Sequence, residues 1–272
     1  MKLKNVVQYL DPKKKPKHYS YEVMEYNIDD IGIVRYAQWK HPSESIKPMS
    51  AELVNKYREY IKEGDFCIDI GAHSGDTTLP MALAAGKSGC VLALEPNPFV
   101  YPVLEKVARA NADLVNIKTI MAAAGKEKGF MEFEYSDAGF CNGGRHENIS
   151  SLQHGHMYKQ TVFAINLEEE LRSDFSAVLP NFSFLKVDAE GYDLYILKSL
   201  VSVISDYRPA IKVEVYKKTD TKYRQEMVGF FAKHNYTAYI VKAEPIEKGE
   251  HLTENNLDER KHYDILALPN ED

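Results

Sequence analysis

Residues 66–78, FCIDIGAHSGDTT, constrain the fold of this chain more than any other stretch. Apolar residues surround one acid, Asp69, and the backbone then bends through Gly71 and Gly75, four positions apart, into a helix start. A short run that is apolar at nearly every position predicts a strand covered on both faces. Glycine lets the backbone turn tightly there and lets a ligand come close. In open α/β sheets, ligands sit at the carboxyl ends of such strands, where strand order reverses.

The remainder of the chain supports that architecture. Residues 1–20 read as an extended arm, and 21–49 (YEVMEY, IGIVRYAQW) as a small β-rich lead-in punctuated by Pro42 and Pro48. Ser50 is placed as the N-cap of a helix over 51–62, with Leu53, Val54, Tyr57 and Ile61 at helical spacing and Gly64 as its stop. Strands are then predicted at 66–70, 90–94, 115–121, 182–187, 210–215, 237–241 and 263–268, with helices at 77–85, 98–111, 192–204 and 223–234. This alternation predicts parallel βαβ units with helices on both faces. The last two strands, with no clear helix between them, predict a reversed hairpin at one edge. Residues 122–181 break the rhythm. Strands at 130–135 and 161–165 flank AGFCNGGRHENISSLQHGHMYK, which reads as a loop or lid beside the active site.

Composition narrows the partners. A length of 272 residues allows one large domain with an appendage, and a net charge of -6 argues against a basic nucleic-acid footprint. Cys67, Cys90 and Cys141 are too few and too scattered for a disulfide framework or a zinc site. Buried free thiols are expected at Cys67 and Cys90, which suits a cytoplasmic protein. No run approaches the roughly 18 apolar residues of a membrane span. The basic start MKLKNVVQYLDPKKKPK leads into no apolar stretch of signal-peptide length, and Lys13 to Lys17 read as a solvated tail. The oligomeric state leaves no trace in the sequence.

The turn itself selects the cofactor. The second strand ends in ALEPNP, which places Glu95 26 residues after Asp69. A carboxylate there can accept hydrogen bonds from both hydroxyls of a ribose, so a nucleoside-bearing cofactor is implied. A dinucleotide site requires G-x-G-x-x-G, yet residue 73 is histidine, and no G-x-x-x-x-G-K-[ST] loop is present. Asp69 would repel a diphosphate and suits a cationic or zwitterionic ligand. S-adenosylmethionine carries a sulfonium, an amino-acid end and a ribose but no phosphate, and the electrostatics favour it.

At this point the residues reach a resemblance. DIGAHSGDTT, LALEPNP, AAAG, FLKVDAEGYD and IKVEVY occur in an order and spacing similar to those of the FkbM-type S-adenosylmethionine-dependent methyltransferases, over roughly residues 60–268. Gly143-Gly144 followed by Ser150-Ser151-Leu152 resembles the family's middle segment. His73 stands where asparagine is more usual, and Asp193 where glutamate is commoner. The resemblance implies a Rossmann-like class I methyltransferase of α/β class. Its mostly parallel seven-stranded sheet has helices on both faces, one antiparallel edge strand and the usual order 3-2-1-4-5-7-6. It also implies O-methylation of sugars, glycans or related natural products. The organisation expected is an arm and β-rich extension over 1–49 and a methyltransferase domain over 50–272, with 122–181 as its insertion.

The residues expected at the cofactor are Asp69, Gly71, Ala72, His73, Gly75, Thr77, Glu95, Pro96, Asn97, Ala122 and Asp188, with S-adenosylhomocysteine as the product. Asn97 equally suits an N-cap, and the smallness of Ala122 equally suits packing. Lys186, Asp188 and Glu190, in LKVDAEG, are the catalytic candidates. Residues two apart in a strand face the same way, so Lys186 and Asp188 share a side. Methyl transfer from a sulfonium asks mainly for positioning and for removal of the acceptor's proton. Asp188 or Glu190 would take that proton, with Lys186 paired to Asp188. Asp188, Glu190, Asp193 and Glu214 are oxygen ligands of the kind magnesium takes. The same carboxylates serve as caps and cofactor contacts, so no metal is favoured. In the polar insertion His146, His154 and His156 read as solvated, and Arg145 can meet an anionic substrate. The expected partner is a small-molecule or glycan acceptor, its pocket built from 21–49 and 136–160. DAEGYD replaces the Asn/Asp-Pro-Pro-Tyr/Phe segment of base-methylating enzymes, which disfavours a nucleic-acid acceptor. A nucleic-acid or protein methyltransferase, and a nucleoside-binding module without chemistry, are the competing readings.

Overall fold

A computed structural model describes residues 18–135, 143–144 and 158–271. Strands β1 (Tyr21–Ile28) and β2 (Gly32–Trp39) pair antiparallel from Tyr21↔Trp39 to Ile28↔Gly32. β2 buries Val34, Tyr36 and Trp39, whereas β1 is mostly exposed. Helix α1 (Ala51–Arg58) begins at Ser50, whose hydroxyl accepts from the Leu53 N–H. It ends short of residue 62, because the Lys62 N–H donates to the Asp65 side chain instead of continuing the helical ladder.

Strand and helix then alternate as β3 (Phe66–Ile70), α2 (Thr78–Ala85), β4 (Cys90–Leu94), α3 (Tyr101–Ala110) and β5 (Ile117–Ile120). Every residue of β3, β4 and α2 is buried, which explains why these segments are apolar throughout. Alternate residues of β3 serve opposite faces. Phe66, Ile68 and Ile70 pack in one cluster with Leu185 and Val187, while Cys67 packs with α2, α3 and the Tyr36–Trp39 side of the hairpin. The hairpin therefore shares a core with the sheet.

The break over 122–181 contains a second sheet. It comprises β6 (Ala123–Gly125), β7 (Gly129–Tyr135), β8 (Gly143–Gly144) and β9 (Tyr158–Asn166), ordered β6-β9-β7-β8. The two strands expected there lie inside β7 and β9. Helix α4 (Leu167–Ser173) follows, with the Asn166 side chain capping it. The remaining elements are a short 3₁₀ turn (Leu179–Asn181), β10 (Phe182–Val187), α5 (Asp193–Ser199), α6 (Val201–Tyr207), β11 (Ala210–Val215), α7 (Thr221–Lys233), β12 (Tyr236–Ala243), β13 (Glu247–His251) and β14 (Tyr263–Pro269). The helix expected over 192–204 is thus two helices meeting at buried Leu200.

The main sheet runs β13-β12-β14-β11-β10-β3-β4-β5. Without β13, its strands counted along the chain read 3-2-1-4-5-7-6. β14 is antiparallel to both β11 and β12, and β13 adds an antiparallel edge strand beside β12. That eighth strand went unpredicted because EKGEH carries no apolar alternation and none of its residues is buried.

Candidate active site

β3 and β10 are parallel neighbours, with Lys186 opposite Asp69 and Val187 opposite Ile70. Strand order reverses between them, so the chain leaves their carboxyl ends in different directions and a gap opens. A cavity of about 290 Å³ fills it. Of the residues expected at the site, Gly71, His73, Thr77, Glu95, Pro96, Ala122, Lys186, Asp188 and Glu190 line this cavity. Asp69, Ala72, Gly75 and Asn97 do not, and each has another place in the structure.

Asp69 is fully buried. Its Oδ2 accepts from the Thr78 hydroxyl at 2.6 Å, and its Oδ1 lies 3.2 Å from the Lys186 ammonium. Burial raises its pKa and the Lys186 charge opposes that rise. Its charge is thus paired with Lys186. Ala72 is buried, and its N–H donates to the Leu94 carbonyl. Gly75, at φ +87°, packs against Leu104, where a β-carbon would sit 3.0 Å away. Asn97 is buried; its N–H donates to Glu95 Oε1 and its Oδ1 accepts from the Phe99 N–H at 2.9 Å, so it shapes the turn into α3.

Glu95 is held from two sides. Its Oε2 accepts from the His73 N–H and its Oε1 from the Asn97 N–H, both at 2.8 Å. Burial pushes its carboxyl up to about 7, although both backbone donors favour the ionised form. His73 adopts φ +48°, and burial lowers its imidazole to about 4, so the ring is neutral at neutral pH. Its Nδ1 lies 3.2 Å from Ser74 Oγ, which in turn sits 2.7 Å from the Tyr36 hydroxyl on β2.

Lys186 is the hub of the far wall. Its ammonium donates to the Gly71 carbonyl at 2.8 Å and lies 3.5 Å from Asp188 Oδ2. The surrounding carboxylates raise its pKa despite its burial. Beyond it, the DAEG turn carries Glu190 at φ +53°. The turn is tied by Asp193, whose Oδ1 accepts from the Ala189 N–H at 2.7 Å and whose Oδ2 accepts from the Gly191 N–H at 2.8 Å. Burial, reinforced by Asp188, pushes Asp193 up to about 7 and Glu190 up to about 8.

Several wall residues had not been singled out. Ser43, Glu44, Ser45 and Lys47 enter from the segment after β2, Asp76 from the donor turn, Phe133 from β7 and Tyr192 from the turn before α5. Lys47 pairs with Asp76 at 2.8 Å and stands 3.6 Å from Glu44 Oε1. Glu44 Oε2 is 3.7 Å from His73 Nε2, and burial raises the pKa of Glu44. Asp76 was in view inside the DIGAHSGDTT motif. SESIK, by contrast, is a polar loop with no periodicity to mark it. Arg145, His146, His154, His156, Ser150, Ser151, Leu152 and Cys141, the arm over 1–17, and most of the 136–160 acceptor segment lie outside the described residues. Cys67 and Cys90 are buried free thiols. Among the described residues no helix is long and apolar enough to cross a membrane.

The wall fits a sulfonium nucleoside. It offers a fixed carboxylate at Glu95, a close-approach backbone turn, small residues at Ala122 to Ala124, and no phosphate cradle. The model of the methyltransferase FkbM domain matches residues 69–238, more than half of the chain. The chain belongs to the FkbM methyltransferase family. The order of its main sheet is that of the Rossmann-like methyltransferases. No curated protein matches its sequence. Among solved structures it is similar to methyltransferase FkbM from Methylobacillus flagellatus, at 14% identity and TM-score 0.48, over 79% of this chain and 50% of that one. This chain thus spans half the length of the Methylobacillus protein. It is also similar to an S-adenosylmethionine-dependent O-methyltransferase from Thermotoga maritima, at 12% identity and TM-score 0.44, over 92% of this chain and 79% of that one. Aeropyrum pernix fibrillarin, solved with natively bound S-adenosyl-L-methionine, matches at 12% identity and TM-score 0.43, over 93% of this chain and 97% of that one.

Proposed function

We propose that this FkbM methyltransferase transfers the methyl group of S-adenosylmethionine to a hydroxyl of a sugar, a glycan or a related natural product. The observation that carries the reading is that Glu95, His73, Asp188 and Glu190 line one and the same cavity. A nucleoside anchor and a pair of carboxylates thus face the same space.

Glu95 accepts the ribose hydroxyls. Its two backbone donors fix the carboxylate, and each oxygen keeps a lone pair for the ligand. Gly71 brings the backbone close to the donor, while Ala122 offers a flat wall to the adenine. S-adenosylmethionine held there would supply an electrophilic methyl on a sulfonium. A hydroxyl is a poor nucleophile until its proton is leaving, and a carboxylate within hydrogen-bond reach can take it. Asp188 and Glu190 share that task, one as base and the other orienting the acceptor. Lys186 positions Asp188, and its raised pKa keeps it a fixed cation. The acidic balance of the chain supports a partner that is not a nucleic acid.

The test has two parts. Thermal-shift measurements with S-adenosylhomocysteine, NAD and ATP should show a selective rise with the first, because a ligand that binds the native state stabilises it. Isotope-labelled donor should then transfer its label to a hydroxyl within a panel of nucleotide sugars, free glycans and lipid-linked saccharides. Label appearing only in RNA or protein would replace this reading with one of the competing methyltransferases. Binding of the product without transfer to any acceptor class would favour a nucleoside-binding module.

A further inference from the structure

The register of β10 against β11 pairs Lys186 with Lys212 and Val187 with Val213. The next position brings Asp188 beside Glu214, and the DAEG turn swings Glu190 over the same spot. Asp188, Glu190 and Glu214 each place one carboxylate oxygen within 4.8 Å of the other two. Such a convergence of negative charge needs compensation, and the nearby lysines supply it only in part. Lys186 serves Asp69 and Asp188, and Lys212 pairs with Asp264 at 2.8 Å and Glu244 at 2.9 Å. Lys217 and Lys218 lend Glu190 only their longer-range charge. Asp193 takes no part in the cluster, because its two oxygens hold the turn together.

A second observation singles out Glu214. The residue is 7% exposed, and among the described residues its buried Oε2 meets no hydrogen-bond donor. Its Oε1 lies 3.2 Å from His262, a side chain about half exposed. An orphaned carboxylate oxygen at such depth is costly. A cation set among the three carboxylates would satisfy it. Oxygens around a divalent ion at about 2.1–2.4 Å stand roughly 3–5 Å apart, which agrees with the spacing of this cluster.

We propose that Asp188, Glu190 and Glu214 form a binding site for one divalent cation of the hard, oxygen-preferring class, magnesium or manganese. Two of its ligands lie in the cavity wall and the third is buried behind them, which leaves the cavity side of the ion open to an exchangeable oxygen. Under the methyl-transfer reading, that oxygen is the acceptor hydroxyl. With the ion bound, its charge would acidify that hydroxyl; the O–H proton would pass to a carboxylate oxygen not engaged by the ion, the oxygen lone pair would form the new O–CH3 bond, and the S–CH3 bond of the sulfonium would break with its electron pair going to sulfur, releasing S-adenosylhomocysteine. This role rests on the methyl-transfer reading, whereas binding of the ion does not.

The experiment titrates chelator-treated full-length protein with manganese alone, followed by electron paramagnetic resonance, and with magnesium by calorimetry. One saturable ion per chain is expected. Glu214→Gln and Asp188→Asn should each weaken it by about tenfold or more, in keeping with the loss of a ligand. Cooperative thermal unfolding followed by circular dichroism should be kept in both variants, which shows that they fold. Absence of saturable binding, or equal binding in wild type and both variants, overturns the site and points to an ammonium-bearing acceptor as its occupant. Manganese binding in a protein that ignores S-adenosylhomocysteine would sink the methyl-transfer reading while leaving the ion site standing.

Discussion

A β-carbon on Gly71 would lie 1.9 Å from the carbonyl oxygen of Asp188. The turn after β3 and the turn after β10 are therefore in direct backbone contact, reinforced by the Asp188 N–H donating to the Ile70 carbonyl at 3.0 Å. Gly71 also sits at φ +77°, where side chains are strained. Gly71→Ala should destabilise the fold by more than about 2 kcal/mol, combining backbone strain of roughly 1–3 kcal/mol with displacement of Asp188. Urea denaturation measures the loss. A change under about 0.5 kcal/mol would show that the two turns move apart freely.

Lys186 bridges the same two turns from below. Lys186→Met should cost about 3–5 kcal/mol, because it leaves Asp69 buried without its counter-ion. Thr78→Val removes only one hydrogen bond to Asp69 and should cost about 1–3 kcal/mol. In Lys186→Met, Asp69 folds most readily when protonated. Its folded pKa then lies above its unfolded value, so the variant should lose further stability as pH rises from 4 to 8. Paired denaturation curves at the two pH values decide the matter.

With Glu95 as the proposed ribose anchor, donor binding should depend on pH. Ribose hydroxyls donate, so they bind the ionised carboxylate, while burial holds Glu95 near 7 from an ordinary 4.5. Protons compete with the ligand below that value. Affinity for S-adenosylhomocysteine should therefore rise between pH 6 and 8, by about tenfold at most for one titrating group. Glu95→Gln should bind more weakly, with a flat profile. Calorimetric titrations across that range supply the readout, and a profile sloping the other way would assign the carboxyl a different role.

Removal of the acidic pair should separate chemistry from donor binding. Asp188→Ala and Glu190→Ala should each lower methyl transfer by about 10²-fold or more. Neither carboxylate anchors the ribose in this reading, so the affinity for S-adenosylhomocysteine should change only a few-fold. Labelled-donor assays beside product titrations would expose an error if turnover in both variants stayed near normal.

Much of this was legible in the sequence because burial leaves a mark on composition. β3 and β4 are buried at every position and read as apolar runs, broken only by Asp69, and the seven-strand order was what the family resemblance implied. Gly71 and Glu95 were visible because a bend and an acid at a strand end have few other uses. Asp69 was read as a ligand contact, since nothing in one dimension reveals that Lys186, more than a hundred residues away, lies opposite it in the sheet. The wall formed by Glu44 and Lys47 was hidden for a related reason. A polar loop has no period, and its place depends on the packing of the hairpin before it. Likewise β13 depends on hydrogen bonds to β12 and carries no apolar pattern.

The Tyr36–Ser74 hydrogen bond has a consequence for where this enzyme can be cut. Asn111, at the end of α3, repeats the link by accepting from the Arg35 N–H at 2.8 Å and donating to the Arg35 carbonyl. The opening hairpin is thus stitched to the donor loop and to the helix behind it, although the family match begins only at residue 69. A fragment trimmed to the matched boundaries would discard the scaffold against which the donor loop rests. The catalytic unit is consequently larger than its signature.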